Sequence, residues 1–128
     1  MTLQTINGIK IHVKTFFRED LSRLDEGSFF YNYEVFIENT SEYDVQLISR
    51  YWKVEHLLSG YEEVKGEGVV GVQPVIRSRD NYSYISGCEI LNSVGKMSGF
   101  YNFKNLNTNQ FFTVPIPAFS LTFPPLSN

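Results

Sequence analysis

A chain of 128 residues is the size of one domain and buries roughly two-thirds of its unfolded surface, so residues 1–128 read as a single unit with its own hydrophobic core. Eleven Lys and Arg against 14 Asp and Glu give a formal charge of -3, with both signs spread along the chain and none of the basic striping that nucleic-acid partners select. Aromatic residues make up 16% of the chain, nearly all Phe and Tyr, and no stretch approaches the roughly 18 apolar residues of a membrane span, so the composition favours strands and argues against a membrane.

Met1 to Thr5 has neither the basic start nor the apolar run of a secretory signal. With Cys88 the single cysteine, no intramolecular disulfide can form, and a cytoplasmic location is expected. From Ile9 to Phe17 the residues Ile9, Ile11, Val13, Thr15 and Phe17 alternate with Lys10, His12, Lys14 and Phe16, the period of two that marks a half-buried strand. A polar stretch from Arg18 to Ser28 leads to a second run, with Phe29, Tyr31, Tyr33, Val35 and Ile37 on one face. Glu38 to Ser41 is turn chemistry. The next run, Val45 to Leu58, carries the only tryptophan, Trp52, and its alternation falters near Ser49 and Arg50, which predicts a bulge or a change of face.

Ser59-Gly60 predicts a tight two-residue hairpin into Tyr61 to Val64. Gly66 to Pro74 holds three glycines and a proline in nine residues and reads as loop or irregular edge. Arg77 to Asp80 turns the chain into a strand from Asn81 to Gly87, with Cys88 following it. Met97, Gly99, Tyr101 and Phe103 then alternate, and the Asn-rich segment Asn105 to Asn109 returns the chain at Phe111 to Val114. Pro115 and Pro117 are expected to interrupt the ladder before a short last strand through Phe119, Leu121 and Phe123. Seven to eight strands and no sustained helical period predict an all-β, antiparallel two-sheet sandwich of the fibronectin type III or immunoglobulin kind.

The residues that could carry chemistry are few. Gly66-Glu67-Gly68-Val69-Val70-Gly71 matches G-x-G-x-x-G, but a dinucleotide fold needs a helix after the glycines, and Pro74 with Val69, Val70, Val72 and Val75 opposes one. A phosphate nest of backbone amides, assisted by Lys65 and Arg50, stays open as a ligand-binding reading built on Lys65, Gly66, Gly68, Gly71 and Arg50. Against it, Glu67 places a carboxylate in the loop, and glycines that permit a tight turn explain the pattern as well. His12 and His56 have no co-ligands at metal-binding spacing, and the adjacent acids Glu62 and Glu63 point to opposite faces of a strand, so no metal site and no cofactor is expected. Cys88 reads as a small buried hydrophobe. Arg50, two residues before Trp52, must be partly buried if the two share a face, and it then needs an acceptor or an aromatic partner. No catalytic constellation is present.

The segments Gln46-Leu47-Ile48-Ser49-Arg50-Tyr51-Trp52, Val64 to Pro74, Tyr84-Ile85-Ser86-Gly87-Cys88, Gly95 to Tyr101 and Val114 to Leu121 together resemble the ApaG domain family, in order and over nearly the whole chain. The resemblance is to its stand-alone bacterial form. It implies a fibronectin type III-like sandwich and, because such domains are also appended to an F-box protein and a polymerase-interacting protein, a module that binds proteins. It also implies an association with cobalt and magnesium efflux, indirect for a chain without a spanning segment, and a pyrophosphate role suggested for the glycine motif. The expected function is a non-catalytic module for a protein partner, as a monomer or weak homodimer, with phosphate, pyrophosphate or nucleotide binding at Gly66 to Gly71 as the alternative.

Overall fold

A computed structural model describes residues 4–123 of the chain, which form nine strands among the described residues: β1 (Gln4–Ile6), β2 (Ile9–Phe17), β3 (Ser28–Asn39), β4 (Val45–His56), β5 (Gly60–Glu67), β6 (Val75–Ile76), β7 (Asn81–Leu91), β8 (Val94–Asn105) and β9 (Phe111–Thr122). Seven have eight residues or more; β1 and β6 are short. One sheet has the order β1-β2-β3-β7 and the other β5-β4-β8-β9, with β6 paired to β4, and every pairing is antiparallel. The predicted two-sheet sandwich is what the chain adopts.

Period-two alternation places the core. Ile9, Ile11 and Val13 on β2 and Phe29, Tyr31, Tyr33, Val35 and Ile37 on β3 turn inward, where they meet Trp52, Val54, Met97, Tyr101 and Phe103 from the other sheet. On β4 the inward residues are Val45 and Leu47, then Trp52, Val54 and His56, so the parity changes from odd to even. The cause is a register shift between Leu47 and Ser49, the bulge expected from the broken alternation. It puts Arg50 on the same face as Trp52.

Several local readings are corrected. The β4–β5 connection is a three-residue loop, Leu57-Leu58-Ser59, with Gly60 already paired to His56, so the expected two-residue Ser-Gly turn does not form. β7 continues through Cys88 to Leu91, which makes Cys88 a strand residue, and a two-residue link of Asn92 and Ser93 leads directly into β8. β9 is one strand: Pro115 pairs with Phe100, and a bulge between the partners of Met97 and Gly99 takes up Pro117. The prolines are tolerated because β9 is an edge strand, whose outer N–H positions need no partner. The hairpin β1–β2 was missed, although its turn, Asn7-Gly8 with φ +52° and +79°, is the residue pair most favoured at two-residue turns. That extra strand makes the tryptophan strand the fourth in the chain.

Buried Asn39 supplies the polar tie between turns. Its Nδ2 donates to the carbonyls of Tyr43 at 2.8 Å and Ile76 at 3.0 Å, fastening the β3–β4 turn to β6.

Candidate functional site

The glycine segment is built for geometry. Gly66 lies in β5 opposite Arg50, and a Cβ there would come within 2.9 Å of the guanidinium, so its lack of a side chain is what lets Arg50 lie across the strand. Gly68 has φ +59°, and a Cβ would stand 1.9 Å from the Val72 carbonyl oxygen. Val69 and Val72 then exchange hydrogen bonds across Val70 and Gly71, whose φ values of +47° and +81° are those of a type I′ turn. The amides of Gly68, Val69 and Val72 thus donate to the carbonyls of Ile48, Val72 and Val69. Arg50 Nη1 donates to the carbonyls of Glu67 and Gly68 at 3.1 and 2.8 Å.

The five residues singled out from the sequence do not converge on one point. Arg50 meets Gly66 and the Gly68 carbonyl. Lys65 falls on the opposite face of the sheet, with its ammonium 5.9 Å from the ring centre of Tyr51. Gly71 sits at the tip of the turn with no heavy atom near where its Cβ would be.

A second locus is the open side of the sandwich. β1 and β2 pack over β9, and β7 packs over β4 and β8, so β5 projects past the edge of the opposing sheet. Tyr61 to Lys65 are accordingly exposed on both faces. Under this overhang runs a cleft of about 370 Å³, with Arg50, Trp52 and His56 of β4 on its floor, Glu62 and Val64 of β5 on one wall and the edge of β7 on the other.

Its polar groups are not fully paired. The His56 side chain is 5% exposed, and its Nδ1 accepts a 2.9 Å hydrogen bond from the Leu91 amide, which puts the proton of the neutral ring on Nε2. Among the described residues Nε2 has no hydrogen-bond partner, and the Glu62 carboxylate stands 3.8 Å away. The Trp52 indole N–H lies beside the Tyr84 hydroxyl but out of bonding geometry. Tyr84 and Tyr101 share a buried hydroxyl–hydroxyl hydrogen bond, and burial raises both phenols. Burial likewise pushes the Cys88 thiol up to about 12, with the Glu62 charge adding to it, and Cys88 Sγ rests 3.4 Å from Met97 Sδ. Such a thiol carries little thiolate at neutral pH and is a poor nucleophile.

Sequence reasoning placed Glu62 and Glu63 on opposite faces, as they are: Glu63 accepts from the Tyr51 hydroxyl outside, while Glu62 faces His56. It missed the His56–Glu62 approach, which the β4–β5 hairpin creates. Among the described residues no group of three or more His, Cys, Asp or Glu could hold a metal ion, and His12 is instead stacked on Phe36 at 4.6 Å. No helix among the described residues is long and apolar enough to cross a membrane.

Two antiparallel sheets with an inward tryptophan and, among the described residues, no helix beyond two short 3₁₀ turns define a fibronectin type III-like domain. The chain belongs to the ApaG domain family, whose sequence profile matches residues 19–105. It is 40% identical over 116 residues to Protein ApaG of Mesorhizobium japonicum, covering 91% of this chain and 88% of that protein. It is 43% identical over 117 residues to Protein ApaG of Brucella canis, covering 91% and 89%. A crystal structure of the putative ApaA protein from Bordetella pertussis superposes with a TM-score of 0.87 at 31% identity, covering 92% of this chain and 95% of that one.

Proposed function

We propose that this ApaG-family chain is a non-catalytic module that binds a protein partner through the overhanging edge of its sandwich. The observation that carries the reading is the tip of the β4–β5 hairpin. Leu58 is 96% exposed and stands at φ +60°, a backbone region that costs a branched residue about 1 kcal/mol or more. The tip is nonetheless held firmly, since Asn92 Nδ2 donates to both the Leu57 carbonyl and the Ser59 hydroxyl at 2.7 Å. Leu57 and Tyr61 flank it, 46% and 61% exposed. A strained, braced and solvent-facing leucine beside further apolar surface favours presentation to a partner over a stability role.

The test is affinity capture from native extract with the wild-type chain and with Leu58→Asp. The variant, whose Asp tolerates the left-handed backbone better than Leu, is expected to keep or raise its melting temperature and lose most of the captured partner. Equal capture by both would sink the reading.

A further inference from the structure

The cleft under β5 has the form of a place for one more strand. Sheet β1-β2-β3-β7 ends one strand short of its partner sheet on this side, which is why Glu62 remains 63% and Val64 39% exposed on what should be an inward face. Among the described residues β7 is paired only to β3, so its other edge presents backbone groups. The Leu91 amide shows which ones: it points away from β3 and is capped by His56. Because alternate residues of an antiparallel strand direct N–H and C=O to the same side, Ile85, Gly87 and Glu89 also turn theirs to this open edge, with Gly87 and Glu89 lining the cleft. The floor from Arg50 to His56 is seven residues, roughly 20 Å of extended chain.

We propose that the cleft accepts a single extended segment of the partner, added to β7 as a fifth strand and carrying a Lys or Arg toward Glu62. This rests on the protein-binding reading above and assigns the site that takes the partner. Complementarity supports it at three points. Free edge groups on β7 match a strand's own N–H and C=O groups. Buried His56 Nε2, a donor without an acceptor, faces the path of the segment. Glu62, its carboxylate 3.8 Å from His56 Nε2, makes the His56 end acidic, which favours a basic side chain there. A second copy of this chain does not fit. Docked β7 to β7 at the strand spacing of about 4.8 Å, its own overhanging β5 would collide with this one. A lone extended segment has no layer beneath it and meets no such obstacle.

A phage-displayed library of random octapeptides, selected on the intact chain and followed by amide NMR titration with the enriched peptides, tests this. Enriched peptides are expected to alternate apolar residues, to contain Lys or Arg, to shift the amides of Ile85, Gly87 and Glu89, and to change Trp52 emission saturably. Ile85→Pro removes an edge N–H without touching the β3 ladder and is expected to abolish binding, while Glu62→Lys weakens it roughly tenfold or more. Peptides that bind but shift amides on another surface overturn the slot and leave the protein-binding reading standing. No enrichment, indifference to Glu62→Lys, or a dimer with protected β7 amides in the free chain would each overturn it as well.

Discussion

Gly68 and Val70 sit two residues apart in the same turn, both at positive φ, and are opposite in what substitution would do. At Gly68 the φ of +59° and the Val72 oxygen 1.9 Å from an added Cβ combine, and the blocking atom is backbone, which cannot swing aside. Gly68→Ala is expected to cost about 2 kcal/mol or more in a denaturant titration. Val70, at φ +47° and 62% exposed, holds the first central position of a type I′ turn with a β-branched side chain that packs on little. Val70→Asn creates the Asn-Gly pair such turns prefer and is expected to raise stability by about 1 kcal/mol in the same assay. A neutral Gly68→Ala would show that the turn readily takes another shape.

At the scale of the element, the segment from Gly66 to Pro74 is a brace between β5 and β6. Its amides at Gly68, Val69 and Val72 are already donating to carbonyls, and Arg50 is spent on the carbonyls of Glu67 and Gly68. An anion would find two uncommitted amides, Val70 and Gly71, beside the Glu67 carboxylate, with Lys65 on the far face of the sheet. Millimolar pyrophosphate is therefore expected to leave the melting temperature unchanged. A saturable rise, enlarged in Glu67→Gln, would instead make this loop a ligand site. The glycine pattern was legible in the sequence and its role as turn chemistry was one of the readings open there. The cleft was not legible, because its walls come from β4, β5 and β7, and only sheet order brings Glu62 to His56.

For the whole molecule, the abundance of tyrosine has a consequence for alkaline stability. Burial raises Tyr31, Tyr33, Tyr84 and Tyr101 in the fold, whereas the same phenols ionise near pH 10 in the unfolded chain. Below about pH 10 both states hold these protons and the stability is present in full. Above it the unfolded chain releases protons that the folded chain keeps, so stability falls as pH rises toward the folded values. The denaturant midpoint is expected to fall above about pH 10, with tyrosinate absorbance appearing in step with loss of near-ultraviolet circular dichroism. Tyrosinate formation well before unfolding would show that the hydroxyl cluster around Tyr84 and Tyr101 is open to solvent.

The alternation from Ile9 to Phe17 and from Phe29 to Ile37 by itself determined two strands and most of the residues they bury, Thr15 being exposed where the first strand runs past the core, because a strand's side-chain period is local and leaves its mark in the order of residues. The faltering of that period near Ser49 likewise determined the bulge that brings Arg50 and Trp52 to one face. What the tertiary structure alone decided is which sheet each strand joins and where each sheet ends. Nothing local in β5 says that no strand covers it, and nothing local in His56 says that its Nδ1 will meet the Leu91 amide 35 residues away. Sheet order follows from how whole strands share the core, a property of the assembled chain, and the open edge and its cleft follow from that order.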